Sequence, residues 1–153
     1  MAPFRRGAQA GPVTEWLVQV AAILATLVGA EDADDRCLHL GRLDALRVEA
    51  LAGDPRSLGR VHAGEAGRRA DADLVAAYRE RGLELRGAAM HRLECSVREE
   101  DATSVVLHVV EALGPTWVVD DRDRWRLLPT SAPASRRITL IRTGEGWRVA
   151  GAQ

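Results

Sequence analysis

The spacing of hydrophobic residues changes near the middle of the chain, from a helical period to a strand period. Apolar residues recur every three or four positions over 36–52 and again over about 71–81, and this spacing predicts two amphipathic helices. Between them, Asp54-Pro55 is typical of a helix N-cap followed by proline in the first turn, so a short helix is expected there. From Leu83 onward apolar and polar residues alternate, which predicts β-strands.

The predicted strands form an antiparallel meander, because short charged or glycine-containing turns separate them. They occupy residues 83–98, 105–110, 117–119, 125–128, 137–142 and 147–150. The first is a long half-buried strand, and the second is apolar on both faces, as is typical of a central strand. Helices followed by a curved antiparallel sheet of four to six strands give an α+β fold class.

Residues 16–30 form an apolar segment without a charged residue. Arg5 and Arg6 precede it and an acidic run begins at Glu31, which matches the plan of a secretory signal peptide or of a membrane anchor with its basic end inside. As a helix this segment would be about 22 Å long, which is short of the ~30 Å hydrocarbon core of a bilayer. Its helical spacing also fits a buried helix of a soluble domain, or a helix that docks on another chain.

We therefore divide the chain into an N-terminal segment, residues 1–35, and an α+β domain, residues 36–153. A signal peptide or anchor predicts a secreted or membrane-anchored protein, with membrane contact through residues 16–30. A docking helix predicts a cytoplasmic protein instead, whose N-terminal helix binds another chain.

The amino-acid composition excludes one class of partner and indicates another, but it does not identify a ligand. The 153 residues contain 21 basic residues, all of them arginine, and 22 acidic ones, for a formal net charge of −1. Because nucleic-acid-binding proteins usually carry a clear basic excess, no nucleic-acid partner is expected. Charge is uneven, however: residues 113–153 contain seven arginines against four acidic residues, so an acidic protein partner is expected at the C-terminal sheet.

Short motifs lie at the ends of the predicted elements. They are Leu43-Asp44-Ala45-Leu46-Arg47, Gly53-Asp54-Pro55, Ala77-Tyr78-Arg79-Glu80-Arg81-Gly82-Leu83, and Trp125 with Thr143-Gly144-Glu145-Gly146-Trp147. Together with the order of helices and strands, they resemble the nuclear transport factor 2-like superfamily, which includes ketosteroid isomerase and the polyketide cyclases. The resemblance extends over about residues 38–151. It is greatest to small actinobacterial members, which often carry an N-terminal membrane or signal segment.

The resemblance implies a cone-shaped, cystatin-like fold with a pocket between the helices and the curved sheet. Catalytic members place a carboxylate or histidine base in that pocket, opposite oxyanion donors; in ketosteroid isomerase these are an aspartate base, a tyrosine and a protonated aspartate. This set has no residue-by-residue match here, because the single tyrosine lies on a predicted helix and the inner strand positions are mostly Leu, Val, Ala and Cys. We therefore expect a non-catalytic domain for binding or assembly, with a homodimer through its sheet. The alternative is a small-molecule isomerase, cyclase or dehydratase that uses a pocket His or Asp with Tyr78.

Five residues are candidates for the pocket: Tyr78, His91, His108, Trp117 and Asp120. His91 is predicted on the apolar face of its strand and His108 within a strand that is apolar on both sides, where a neutral imidazole can exchange a proton. Tyr78 is a candidate oxyanion donor, Asp120 a candidate base and Trp117 a candidate ligand contact. Each also has a structural interpretation, which is core packing for the first four and a turn role for Asp120.

Cys37 and Cys95 are the only cysteines. In an exported domain they would form a disulfide between the first helix and the first strand, whereas in the cytoplasm they would be two reduced thiols. The spacings typical of metal sites, serine nucleophiles, phosphate-binding loops and dinucleotide sites do not occur in the sequence. We therefore expect no metal and no cofactor.

Overall fold

Two α-helices and a short 3-10 helix precede the strands in the computed structural model, which describes residues 35–153. Helix α1 covers residues 35–52, the 3-10 helix Pro55–Arg60, and helix α2 Glu65–Arg79. The side chain of Asp54 caps the 3-10 helix by accepting a hydrogen bond from the Arg56 amide at 3.0 Å. Among residues 35–153, no helix is long and apolar enough to cross a membrane. The predicted apolar segment, residues 16–30, lies outside the described residues.

Helix α2 begins earlier than the sequence pattern predicts, at Glu65 instead of near Asp71. Residues 65–70 are mostly Ala, Arg and Glu, which are strong helix formers, and most of their side chains are exposed. Because this part of the helix buries no apolar side, its sequence shows no apolar period. The pattern therefore located only the buried part of α2.

Seven antiparallel strands form two sheets. They are β1 (Leu83–Arg86), β2 (Met90–Glu100), β3 (Ser104–Leu113), β4 (Trp117–Asp120), β5 (Trp125–Leu127), β6 (Ala134–Thr143) and β7 (Gly146–Ala152). The four-stranded sheet has the order β2-β3-β6-β7, and the three-stranded sheet has the order β1-β4-β5. The α+β class predicted from the sequence is confirmed, and the strands are divided between the two sheets.

A turn at Gly87 separates β1 from β2, where the sequence pattern predicts one continuous strand. Gly87 has a φ of +69°, a left-handed backbone conformation that favours glycine, and a Cβ atom there would lie 3.2 Å from the Pro115 carbonyl oxygen. After this turn the chain leaves the sheet that contains β4 and enters the one that contains β3. Because apolar and polar residues alternate on both sides of the turn, the pattern does not reveal it.

A β-bulge at Leu93 shifts by one residue the alternation of side chains between the two faces of β2. Arg92 and Glu94 pair with consecutive residues of β3, so Leu93 between them has no partner. Arg92 before the bulge and Cys95 after it both point toward the helices. His91 consequently lies exposed on the outer face, opposite to the face predicted from the sequence.

The core lies between α1 and the inner face of the four-stranded sheet. Three side chains of β3 on that face, Val105, Leu107 and Val109, are fully buried. They pack with Leu40 and Leu43 of α1 in the main hydrophobic cluster. Removal of this apolar surface from water holds α1 on the sheet. A second, smaller cluster joins the end of α1 to α2.

Cys37 near the start of α1 and Cys95 on β2 form a disulfide, with their Cα atoms 6.1 Å apart. The bond links two positions that are 58 residues apart in the sequence. It lies beside the bulge at Leu93. The first turn of α1 is therefore attached covalently to the edge of the sheet.

Candidate functional site

A cavity of about 350 Å³ lies between α1, α2 and the inner face of the four-stranded sheet. This volume is within the range of small-molecule sites. Its apolar wall includes Leu40, Leu43, Val61, Ile138 and Val149. Its charged and polar side chains are Asp44, Arg47, His62, Asp71, Arg92, Glu111 and Arg136. The cavity thus combines an apolar surface with a convergent set of hydrogen-bonding groups.

Asp71 on α2 joins three segments of the chain. Arg47 of α1 donates two hydrogen bonds to its carboxylate, at 2.8 Å from Nε to Oδ2 and 2.7 Å from Nη2 to Oδ1. Nε2 of His62, which follows the 3-10 helix, lies 2.7 Å from Oδ2. Burial alone would raise the pKa of Asp71, but the hydrogen bonds from His62 and Arg47 and the Arg47 charge outweigh it and lower that pKa to about 2. Asp71 is therefore ionised and paired at neutral pH.

His62 is oriented by this carboxylate and enclosed by a glycine. Its Nε2 faces Asp71, and a Cβ atom at Gly67 would lie only 2.6 Å from its Nδ1. Gly67 is thus the position in α2 that leaves room for the imidazole ring. One ring nitrogen of His62 therefore contacts the Asp71 carboxylate, and the other lies beside Gly67 of α2.

Arg92 and Glu111 form a second ion pair, on the sheet side of the cavity. Nη2 of Arg92 lies 3.2 Å from Oε2 of Glu111, whose side chain is only 4% exposed. The two residues face each other on neighbouring strands, just before the bulge in β2. The Nε atom of Arg92 is buried and has no hydrogen-bond partner among the described residues. Such a donor costs free energy until an acceptor reaches it.

Asp44 and Arg136 are the cavity's two charged groups that form no ion pair in the described part of the chain. A carboxylate oxygen of Asp44 accepts a hydrogen bond from the Met90 amide at 2.8 Å. Burial raises the pKa of Asp44, an effect that the Met90 hydrogen bond and the charges of Arg47 and Arg92 oppose. Arg136, on β6, is exposed at the rim of the cavity.

The free donors of the cavity suit an organic anion. Arg136 offers a whole guanidinium group at the rim, and Arg92 lines the cavity as well, with a buried Nε that has no partner among the described residues. A guanidinium group binds a carboxylate with charge-assisted and often bidentate hydrogen bonds. Within residues 35–153, no group of three or more His, Cys, Asp or Glu side chains is arranged to hold a metal ion.

None of the five residues that the sequence suggested for the pocket lines this cavity. Tyr78 is half-buried on α2, in a separate small pocket against the end of α1. His91 is exposed on the outer face of the four-stranded sheet. His108 is on the same outer face, where its Nε2 lies 2.7 Å from the Ser135 hydroxyl.

Trp117 and Asp120 belong to the three-stranded sheet instead. Trp117 is 37% exposed on its outer face. Asp120 accepts hydrogen bonds from the Arg122 and Arg124 amides and from the Arg124 side chain, and those from Arg124 lower the pKa of Asp120. The carboxylate of Asp120 thus stabilises the β-turn. The fold therefore does not bring Tyr78, a histidine and Asp120 together.

The sequence patterns missed the charged residues of the cavity, because their partners are distant in the chain. Arg47 and Asp71 are 24 positions apart and show no common motif. Glu111 did carry a usable signal, since it continues the alternation of buried positions along β3. A carboxylate at a buried strand position needs a partner, and Arg92 provides it.

Comparisons with known proteins show the fold. No protein-family model matches the chain, and no curated protein matches it.

Among solved structures, the chain is similar to Aln2 from a Streptomyces species, with 18% sequence identity, a TM-score of 0.50, and coverage of 77% of this chain and 88% of that one. It is also similar to the intermembrane space region of the chloroplast protein ARC6, with 15% identity, a TM-score of 0.49 and coverage of 78% and 92%. A third is an NTF2-like protein with a cystatin-like fold from Novosphingobium aromaticivorans, with 20% identity, a TM-score of 0.42 and coverage of 89% and 86%. The likeness to Aln2 shows that the two chains share the α+β arrangement described above.

Proposed function

We propose that this domain binds a small organic acid in the cavity between its helices and its four-stranded sheet, without catalysing a reaction. The supporting observation is a cavity of about 350 Å³ in which Arg92 has a buried donor without a partner and Arg136 at the rim has no ion pair among the described residues. The carboxylate of a ligand would pair with the guanidinium group of Arg136 and lie near that of Arg92. Apolar residues such as Leu43 and Ile138 would contact its hydrocarbon part.

The engagement of the cavity's acidic and basic groups with one another supports binding over catalysis. Asp71 is paired with Arg47 and His62, and Glu111 is paired with Arg92. These ion pairs fix the wall of the cavity before a ligand arrives, which lowers the entropic cost of binding. They also hold the guanidinium group of Arg92 in place with its Nε free.

Cyclohexanecarboxylate is a suitable probe, because it joins one carboxylate to a compact apolar ring. We expect it to bind the full chain in isothermal titration calorimetry, and the neutral cyclohexanecarboxamide to bind at least tenfold more weakly, because the amide has no charge to pair with guanidinium. Arg136→Gln should weaken carboxylate binding without changing the free energy of unfolding, since Arg136 has no partner in the described fold. Arg142→Gln is the matched control, because Arg142 is exposed on the same strand but does not line the cavity.

A blocking variant decides whether the cavity is the site. Ala70 on α2 lines the cavity and is exposed, so Ala70→Phe should fill the space while the helix remains intact. Loss of carboxylate binding with an unchanged free energy of unfolding supports the proposal. Equal binding to wild type and Ala70→Phe would show that the site lies elsewhere. Equal binding of carboxylate and carboxamide would exclude the acid class.

A second candidate function is acid–base catalysis by an isomerase, cyclase or dehydratase. The observation in its favour is Asp44, which lines the cavity without an ion pair in the described chain and whose pKa is raised by burial. Tyr78, the expected partner, does not line the cavity, so Asp44 would act with Arg92 or Arg136. Asp44→Asn removes the proton-exchanging group but keeps an acceptor for the Met90 amide.

Deuterium exchange separates the two functions. The probe is 3-oxocyclohexanecarboxylate, whose carbons next to the ketone exchange protons slowly without a base. An enzyme of this class should accelerate the exchange, followed by NMR, and Asp44→Asn should abolish the acceleration. A binding domain should bind the compound without accelerating exchange. Acceleration that depends on Asp44 would overturn the non-catalytic proposal.

An extracytoplasmic location is part of the proposal. The Cys37–Cys95 disulfide supports it, because such bonds persist in oxidising compartments. The apolar residues 16–30, preceded by Arg5 and Arg6, support it as well. N-terminal sequencing of the native protein tests it: a start at Glu31 indicates a cleaved signal peptide, and an intact N-terminus in the membrane fraction indicates an anchor. An intact N-terminus in the soluble cell fraction would contradict the proposal.

A further inference from the structure

Strand β5 is an edge of the three-stranded sheet, since it pairs only with β4 among the described residues. Two backbone hydrogen bonds flank it within the same chain: the Asp120 amide donates to the Arg124 carbonyl, and the Leu128 amide donates to the Thr116 carbonyl. Bonded and non-bonded residues alternate in an antiparallel pair, so Arg126 is bonded to β4, whereas the backbone N–H and C=O groups of Trp125 and Leu127 point away from it. These groups form a free edge with which another strand can pair.

The outer side of this edge is apolar. Trp125 and Leu127 are 54% and 48% exposed, and they lie beside the exposed Trp117 of β4. The rings of Trp117 and Trp125 meet edge to face with their centroids 6.4 Å apart, and Asp123 accepts a hydrogen bond from the Trp125 indole at 3.0 Å. The rings are therefore held in position before a partner binds, as is typical of binding hot spots.

The opposite side of the edge is basic. Arg126 points to this side, as the alternation along β5 requires, and lines a cleft of about 560 Å³ together with Arg81, just after α2. Trp125 also borders this cleft. Arg124 in the same cleft is paired with Asp120, but Arg81 and Arg126 form no ion pair within residues 35–153. Two free guanidinium groups thus face one unpaired carboxylate, that of Asp121, so positive charge prevails in this part of the described fold.

We propose that β5 binds an extended segment of a protein partner in which apolar and acidic side chains alternate. Neighbouring side chains of an added strand point to opposite sides of the sheet. Its apolar side chains would contact Trp117, Trp125 and Leu127, and its acidic side chains would face Arg81 and Arg126. Strand addition takes affinity from main-chain hydrogen bonds and specificity from the alternate side chains. The acidic partner expected at the C-terminal sheet is thereby assigned to one strand edge, independently of the cavity.

Short synthetic peptides test this assignment on the full chain. A capped hexapeptide of alternating glutamate and valine should bind in calorimetry and change the fluorescence of the tryptophans. A peptide of three glutamates followed by three valines has the same composition and should bind at least tenfold more weakly, because its side chains cannot match both sides of the edge. The alternating peptide with N-methylated backbone amides should also bind at least tenfold more weakly, because it cannot form backbone hydrogen bonds with β5.

Variants locate the binding. Arg126→Gln and Trp125→Ala should each lower the affinity for the alternating peptide several-fold. Both residues are exposed, so the fold should tolerate the changes. Arg142→Gln, an exposed arginine of the other sheet, should leave the affinity unchanged. No binding of the alternating peptide would overturn the proposal. The proposal would also be overturned if the peptide of three glutamates followed by three valines, or the N-methylated peptide, bound as tightly as the alternating one. Wild-type affinity of both Arg126→Gln and Trp125→Ala for the alternating peptide would overturn it as well.

Discussion

Asp71 is the carboxylate on which the ionic cluster of the cavity depends. It binds Arg47 of α1 and His62 after the 3-10 helix, so three segments meet at one side chain. Its pKa in the folded chain is about 2, below the ordinary 3.8, so the ionised form stabilises the fold fully above pH 3.8. This stabilisation, about 2 kcal/mol, is lost as the pH falls through about 2.

Asp71→Asn should lower the free energy of unfolding by about 2–3 kcal/mol at pH 7, because Arg47 and His62 lose the charge that pairs with them. Urea denaturation measures this loss. The difference in free energy of unfolding between the variant and the wild type should decrease as the pH falls from 4 toward 2. Asp73→Asn is the control, since Asp73 is exposed on the same helix, and its effect should be within about 0.5 kcal/mol. A gap that stays constant down to pH 2 would contradict the role of the Asp71 charge.

Gly67 and Gly41 should respond in opposite directions to substitution by alanine. Both lie inside helices, where Gly→Ala ordinarily stabilises by about 0.5–1 kcal/mol. A Cβ at Gly67 would lie 2.6 Å from Nδ1 of His62, so the ring must move and its contact with Asp71 is disturbed. A Cβ at Gly41 would meet only Nη1 of Arg92 at 3.9 Å, an ordinary contact.

Thermal and urea unfolding should therefore show Gly67→Ala destabilised by about 1–2 kcal/mol and Gly41→Ala stabilised by up to about 1 kcal/mol. If both variants are more stable than the wild type, the His62 ring moves away from the added Cβ without losing its contact with Asp71.

Helix α1 is attached to the sheet in two different ways. Leu40 and Leu43 pack against the inner face of β3, and Cys37 is bonded to Cys95 of β2. The hydrophobic contacts act in the folded state, whereas the disulfide acts mainly by restricting the unfolded chain. The bulge at Leu93, beside the disulfide, is also the feature that directs Arg92 into the cavity.

Reduction of the disulfide should lower the free energy of unfolding by about 4 kcal/mol, because the closed loop spans 58 positions. Urea denaturation with and without dithiothreitol measures the difference. The double variant Cys37→Ser and Cys95→Ser should resemble the reduced protein and should not respond to the reductant. Equal stability of the oxidised and reduced proteins would show that the bond does not constrain the unfolded chain.

The outer surfaces of the two sheets differ in character. The three-stranded sheet exposes aromatic rings, whereas the four-stranded sheet has half-buried Val106 and Val110 on β3, with His108 between them. The sequence-based expectation of a homodimer through the sheet stays a prediction, and this second surface is where it applies.

Sedimentation of the full chain should give twice the monomer mass at micromolar concentration. Val106→Glu places a charge at the centre of the expected interface and should give the monomer, because an unpaired buried charge is costly. Ala77→Glu, on the exposed side of α2, is the matched control and should leave the mass unchanged. A monomeric wild type, or a dimer that persists in Val106→Glu, would rule out this interface.

Local patterns were enough to predict the class of the fold and several of its boundaries. The apolar period located α1 and the buried part of α2, and Asp54-Pro55 located the start of the 3-10 helix. Alternation predicted the strands after Leu83, and the charged residues 120–124 predicted a hairpin turn. These features depend on residues a few positions apart, since helix periods, caps and turns are local properties of the chain.

Tertiary structure decided which side chains share the cavity. The turn at Gly87 and the bulge at Leu93 set the faces of β2, and they exchanged His91 for Arg92 on the inner side. Strand register and ion pairs depend on partners far along the chain, and no local pattern contains them. Helix and strand content thus followed from the sequence, whereas the charged wall of the cavity and the free edge of β5 arose only when distant segments packed together.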